Sequence, residues 1–581
     1  RRVPTEMSRA LRKAVECSDK HALIQAKPIT LELERSWESI AYTMLVASRS
    51  VSAALIGVVL LVASSTPVHA NEDLYNAEAV VPPQCYTKHE GRFNPCYVCH
   101  QDHGGSERLN AMNDQRLQSE YDFVEVALKN HWTNLFVDRR PLIAQIEDKQ
   151  ILDYISRDNY SPLAGRLKQS GWQGYTPQIE DLEKAGAAFD KRGVARDGSG
   201  WVAFNYKPLP STFWPTNGST DDVMIRLPEA FRNDAEGNYD REIYLLNLSI
   251  AEAAIKGLSE LSIPPADEKR IGVDLDGDGQ LRAKVAQLKR PESYLGSAAT
   301  VPVDRFLYPK GTEFLHTVRY LGLGEDGTIE ATPRLKELRY MRKHTLLSPE
   351  QIRERYEDLA HEEHEDDGLS PAHDKAEDHA EGGVKQAGDL GYDNGFGWYV
   401  QGFIEDARGD LRPQNTEEGL FCMGCHASVG ATVDSTFAFA RKVTGAPGWG
   451  YIDLHGMPDA PILGEQVGEI LQYFRRVGGG DEFRENKELL KRFFGTGDSV
   501  RTDEVVSKDI YELISPSRSR ALDLNKAYWT IVREQSFLRG RDANLAPMQN
   551  VYKRVDPKTA PTLPKSNQFD SDIRLDWSSR R

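Results

Sequence analysis

The sequence lacks an excess of basic residues, a long hydrophobic run and any internal repeat. Its 581 residues carry 88 acidic and 72 basic side chains, a net charge of −16. Binding a polyanion needs clustered Lys and Arg, so this balance argues against nucleic acid as a partner. The one strongly apolar run, Val51 to Ala63, is 13 residues long, short of the roughly 20 that a helix needs to cross a bilayer. Cysteine is scarce too, with six in the whole chain. The rest is ordinary globular material, 39% hydrophobic with 46 glycines, which excludes a wholly disordered chain. At roughly 150 residues per domain the length suits three or four domains.

The apolar run has a processing explanation. Arg49 supplies a positive n-region, Val51 to Ala63 an apolar h-region, and Val68-His69-Ala70 a small-residue cleavage site, the pattern of a secretory signal opening at Met44. On this reading 1–43 is an upstream segment absent from the mature protein and 44–70 is the signal peptide. Removing 1–70, with nine basic and six acidic residues, leaves 511 residues at a net charge of −19. The mature chain is then expected to be periplasmic or secreted in a bacterium, with no membrane span.

Four of the six cysteines fall in two matching pentapeptides, Cys96-Tyr97-Val98-Cys99-His100 and Cys422-Met423-Gly424-Cys425-His426. The pattern is C-x-x-C-H, that of c-type haem attachment. Two thiols one turn apart add across the haem vinyl groups as thioethers, and the adjacent His reaches the iron as proximal ligand. By composition alone the expected number of such pentapeptides is on the order of 0.0015, so two are not chance. A zinc site or a redox dithiol also uses C-x-x-C, but neither requires His directly after the second Cys.

On these pentapeptides and the signal peptide, the chain resembles the exported, periplasmic dihaem c-type cytochromes. The resemblance implies two covalent haem c groups, proximal ligation by His100 and His426, and electron-transfer chemistry. Dihaem cytochrome c peroxidases also carry two such motifs, often with calcium, at a closer spacing than the 326 positions between Cys96 and Cys422 here.

Patterning suggests a mainly α, multidomain protein, with cytochrome-c-like helical haem regions around an intervening α+β region containing some strands. The expected divisions are a first haem region at 71–175, the α+β region at 176–345, a helix and acidic His-rich linker at 346–390, a second haem region with C-terminal helices at 391–555, and a polar, mobile tail at 556–581. Ile243, Leu246, Ile250, Ala254 and Leu258 mark an amphipathic helix, and Phe314, His316, Val318 and Tyr320 one face of a strand. Ser348-Pro349-Glu350-Gln351 reads as a helix start with a capping-box Gln. The linker holds His361, His364, His373 and His379 among many acids, a flexible solvated segment or a loose transition-metal trap.

Asp274, Asp276 and Asp278, with Gly279 at position 6 and the Gln280 carbonyl at position 7, match the first half of an EF-hand-type calcium loop. Position 12 is Val285, so Asp267 or Glu268 is expected to complete the shell. The alternative is a solvated Asx-rich turn.

The sixth iron positions fall to the remaining His and Met residues. His316 is either a distal ligand or a core His with a hydrogen-bond partner. Met457, in Gly456-Met457-Pro458, follows His426 by 31 residues, and His455 beside it is an equal alternative. Met341, His344, His89 and His131 are weaker candidates, and His103 stands too near His100 to face it across one haem. Closed irons suit electron transfer; an open one suits peroxidase- or dehydrogenase-type catalysis, or sensing. Cys85 is left over, an inert buried thiol or an unusual ligand. The leading expectation is electron transfer through two haems within a respiratory or substrate-oxidising chain, with a redox partner that presents a basic docking surface. A haem enzyme or a haem-based sensor or metal-binding protein is the alternative.

Overall fold

A long hairpin organises the molecule. Strands β5 (Glu313–Leu323) and β6 (Ile329–Lys343) pair antiparallel, joined by a turn in which Asp326 accepts from the Thr328 amide at 2.9 Å. In this computed structural model the described residues are 81–101, 108–109, 115–123, 125–210, 213–366, 384–570 and 572–578, without the side chains of 360–366. They fall in one compact unit, Asp73–Arg581. The expected upstream segment and signal peptide, His103, His373, His379 and the imidazoles of His361 and His364 lie outside what is described.

Around the hairpin grows an eight-stranded antiparallel sheet. Its order is β1 (Val202–Ala203), β2 (Thr220–Arg226), β5, β6, β9 (Trp398–Glu405), β8 (Tyr392–Asp393) and β7 (Lys385–Gln386), with β10 (Leu411–Pro413) also on β9. A separate hairpin joins β3 (Glu260–Ala266) to β4 (Val285–Lys289). The helices used below are α1 (Asp148–Ile155), α2 (Arg241–Lys256), α3 (Pro349–Asp366), α4 (Met423–His426), α5 (Glu469–Val477) and α6 (Arg518–Glu534).

This sheet overturns the expectation of a mainly α, cytochrome-c-like fold. The physical reason lies in β6. Arg334, Lys336, Glu337 and Lys343 on that strand are all buried, so its charges do not alternate with apolar residues as they do on a half-exposed strand. Each is satisfied inside instead. Arg334 Nε meets Glu405 Oε1 at 2.5 Å, Lys336 Nζ donates to the Gly218 carbonyl at 2.7 Å, Glu337 pairs with Arg339 and Arg541, and Lys343 pairs with Asp434.

Several local expectations hold. The amphipathic helix expected from Ile243 onward is α2, though it stops at Lys256 and leaves Leu258 beyond it; Asp240 caps it by accepting from the Glu242 and Ile243 amides, and Gly257 ends it at φ 70°. Ser348 and Gln351 form the reciprocal capping box of α3. Phe314, Val318 and Tyr320 lie buried on β5.

The segment carrying the first pentapeptide is built into distant chain. Thr87 bridges to Val551, and the Asn94 amide donates to the Arg476 carbonyl at 2.6 Å. Gly478 closes α5 in the left-handed region at φ 70°, and a Cβ there would overlap the Phe93 ring. The tail is not mobile either: Ile573, Leu575 and Trp577 are buried, Leu575 bridges to Ile462, and Asp572 pairs with the buried Arg108 at 3.1 Å. Its polar composition hid three apolar anchors spaced two apart. Replacing Leu575 by Ala is expected to cost about 2–4 kcal/mol of stability, measured by denaturant titration.

Candidate functional site

Both pentapeptides adopt the same hydrogen-bonded turn. The Cys96 carbonyl accepts from the Cys99 amide at 3.1 Å and the His100 amide at 2.8 Å; the Cys422 carbonyl accepts from Cys425 at 3.2 Å and His426 at 3.0 Å. Pro95 opens the first turn, and a capping box between Asn415 and Glu418 starts the short helix before the second. One carbonyl thus gathers two thiols and an imidazole onto a single turn, as thioether attachment with an adjacent axial His requires.

None of the five described cysteines is in a disulfide. Burial pushes Cys96 up to about 12, with Cys99 adding to it, and burial pushes Cys425 up to about 11. A redox dithiol needs the opposite, a lowered thiol pKa. None of these cysteines joins a metal-holding cluster among the described residues.

The half-buried Cys85 lies within electrostatic range of both turns, 326 positions apart in sequence: its thiol is pushed up first by burial and then by Cys96 and Cys425. Phe421, directly before Cys422, packs on Trp132 at 4.5 Å between ring centroids.

His426 is the best-defined ligand candidate. Its Nδ1 lies 2.9 Å from the Ser435 carbonyl, which can only accept, so Nδ1 carries the proton and Nε2 keeps its lone pair. A metal-bound imidazole is oriented by the same kind of bond. Burial first, then Arg339 and His316, holds the ring neutral with a pKa lowered to about 4. The acceptor is presented by a tight turn, Val433 bridging to Thr436, with Asp434 and Ser435 both left-handed at φ 53° and 56°. Two positive-φ central residues make a type I′ turn, for which Asp and Ser are less suited than Asn-Gly. The Asp434 carboxylate compensates. It accepts from the Tyr308 amide at 2.7 Å and Trp398 Nε1 at 3.3 Å, and it pairs with Lys343.

In the first turn, Gln118 Nε2 donates to the His100 carbonyl at 2.8 Å, and His89 Nε2 lies 3.0 Å from Cys96 Sγ. Met457 is buried in the apolar cluster that holds Tyr97 and Val98, with Cys99 against it. It therefore accompanies the first motif, not the second that it follows in sequence. His455 is exposed and stacks on Tyr511. His344 stacks on Tyr399 and faces Asp393, His131 is half-buried at the surface beside the Val126 carbonyl, and Met341 belongs to the largest apolar core.

His316 does lie near His426, whose protonation it disfavours. Its Nε2, however, faces Asp221 Oδ2 at 3.2 Å. Arg339, its cross-strand neighbour on β6, is influenced by Cys422 and Cys425, and Glu337 takes both Arg339 and Arg541. Sequence reading missed Arg339, Glu337, Arg541 and Asp434, because no local motif marks a residue whose partner arrives from another element.

At the acidic loop, Glu268, Asp274 and Asp276 bring carboxylate oxygens within 4.8 Å of one another. Glu268 is buried and accepts from the Leu275 and Arg282 amides at 2.6 and 2.9 Å, so of the two acids offered from outside the loop it is the one that joins. Asp267 instead caps a short helix. Asp278 turns to Arg282, and Gln280 is exposed, its amide donating to Asp278 at 2.8 Å.

Comparison with known proteins gives the family. Residues 68–515 match a family model described as "-like lipoprotein", and the chain belongs to that lipoprotein family. An "Uncharacterized lipoprotein" of Aquifex aeolicus (strain VF5) is 31% identical over 536 residues, covering 81% of this chain and 86% of the relative. No solved structure matches. The resemblance to the periplasmic c-type cytochromes is thereby corrected: it rested on ten motif positions, which do not define descent, whereas the lipoprotein match runs through most of the chain. Membership makes this an exported protein of the cell envelope. Among the described residues no helix is long and apolar enough to cross a membrane.

Replacing Asp434 by Ala leaves Lys343 buried without its counter-charge. A stability loss of about 3–5 kcal/mol is expected, and the double variant D434A/K343M should recover part of it in the same denaturant titration.

Proposed function

We propose that the two C-x-x-C-H turns each hold a covalent haem c and that the protein passes electrons between them at the bacterial envelope, within a respiratory or substrate-oxidising chain. The observation that supports this reading is that both C-x-x-C-H segments form the same turn, one carbonyl accepting from the second Cys amide and from the His amide. Covalent haem c supplies a one-electron iron centre anchored by two thioethers.

The chain's own residues have definite tasks in this reading. Cys96, Cys99, Cys422 and Cys425 tether; His100 and His426 are proximal ligands, with the Ser435 carbonyl fixing the His426 tautomer. Met457 is offered as distal ligand on the side of the first turn, and a soft thioether there raises the potential. The lipoprotein family makes membrane anchoring of the exported chain part of the proposal. The acidic balance favours a redox partner with a basic docking surface, and association is expected to weaken as salt is raised.

A second reading, a haem enzyme with one open iron, draws on His316. The nitrogen best placed to ligate already faces Asp221, and a His–carboxylate pair beside an open iron is an acid–base device. Carbon monoxide separates the two. Low-spin spectra unchanged by carbon monoxide fit electron transfer; a shift on one haem that C422A/C425A removes fits the enzyme.

For the acidic loop we propose that Glu268, Asp274 and Asp276 hold Ca²⁺ as a structural ion. Millimolar Ca²⁺ is expected to raise the melting temperature by a few degrees and a chelator to reverse it, with no response in Glu268→Gln.

The decisive test is a pyridine haemochrome assay on mature protein made alongside a cytochrome c assembly system. Two haems per chain are expected, and one in C96A/C99A or in C422A/C425A. Finding none would overturn the reading.

A further inference from the structure

The junction between the two turns contains an acid with no cation. Glu482 is 2% exposed. Its Oε1 accepts from Gln84 Nε2 at 3.0 Å, and its Oε2 has no hydrogen-bond partner. The charges nearest to it are the acids Asp481 and Asp542. Asp481 accepts from the Phe483 and Glu485 amides and faces Arg520, and Asp542 faces Lys336, so each cation is directed to another carboxylate. The phenol of Tyr473 faces Asp481, Tyr97 and Glu482, the last through a side-chain hydrogen bond, and the oxygen of Tyr97 is buried without a hydrogen-bond partner.

The position of this acid matters more than its burial. Gln84 adjoins Cys85, whose thiol feels both Cys96 and Cys425, and Tyr97, in the first turn between Cys96 and Cys99, feels the same Tyr473 phenol that faces Glu482. A desolvated carboxylate among acids and without a cation favours its neutral form. Burial first, then Asp481 and Asp542, pushes Glu482 up to about 8. A redox centre at the first turn changes charge by one on reduction, within the low-dielectric interior that Glu482 shares.

We infer that Glu482 is the proton carrier of this junction, taking up one proton from solvent as one electron arrives at the first turn; this rests on the haem reading above. The electron comes from an external one-electron donor. In the haem-loaded protein above about pH 8, where Glu482 is ionised before reduction, arrival of one electron would be matched by conversion of the carboxylate to the carboxylic acid, so the interior would gain no net charge. Oxidation returns both. Gln84 and Tyr473 act as positioning residues for the acid.

The test is a spectroelectrochemical titration of the full mature protein between pH 5 and 9, with dithionite as reductant. The first haem is identified through C422A/C425A. Its potential is expected to be level below about pH 8 and to fall above it toward the 59 mV per unit of a one-electron, one-proton couple, and to stay flat throughout in Glu482→Gln. Gln84→Leu, which removes a hydrogen bond that stabilises the charged form, should move the inflection to higher pH. A flat wild-type profile, or an unchanged slope in Glu482→Gln, would overturn the inference.

A second readout does not need the haem. Between about 4.5, the ordinary Glu value, and about 8 the folded state keeps a proton that the unfolded state has released. Stability therefore falls as pH rises through that window, and Glu482→Gln should reduce the fall. Equal pH–stability curves for wild type and variant would remove the buried acid from the argument. Loss of the expected haem count with this difference intact would sink the haem reading and the redox coupling, yet leave Glu482 as a buried neutral acid.

Discussion

The desolvation of charges on β6 is the constraint from which most of this molecule follows. A charged group taken out of water must find a partner or lose its charge, and β6 sends Arg334, Lys336, Glu337 and Lys343 inward. Each demand recruits a different part of the chain. Arg334 holds Glu405, which also accepts from Tyr154 and Tyr320 at 2.6 Å each and so ties α1 to the sheet. Glu337 holds Arg339 and Arg541 beside the second turn. Lys343 holds Asp434, and through it the turn that orients His426.

That arrangement explains how a loop with poor turn chemistry can keep a definite shape. Asp434 and Ser435 occupy left-handed backbone that costs non-glycine residues of order 1–3 kcal/mol. The ion pair with Lys343 and two further hydrogen bonds over-determine the conformation. The strain then serves the site, because the Ser435 carbonyl selects one tautomer of one imidazole.

In the proposed haem reading, the same interior would set the conditions for redox chemistry. In a medium of low effective dielectric a change of one charge is felt by every nearby titratable group. An acid without a cation, such as Glu482, is the natural respondent. The lipoprotein family supplies the setting, an exported protein of the envelope, and it replaces the descent that two short motifs had suggested.

Local chemistry was legible in the sequence. The two C-x-x-C-H turns, the Ser348 cap, the apolar face of α2, the alternating face of β5 and an acidic loop short of one ligand are all written within a few residues. The large sheet was not, because a strand buried on both faces and lined with paired charges loses the period of two that marks a strand. The placement of Arg339 beside the second turn, of Met457 with the first turn and the anchoring of the polar tail were decided only in three dimensions. The sequence by itself determined which atoms could attach a haem or cap a helix, since those depend on neighbours along the chain. Tertiary structure decided which of those atoms share an interior, since desolvated charges are satisfied by partners hundreds of residues away, as Lys207 is by Asp459 and Glu469 at 2.6 and 3.0 Å.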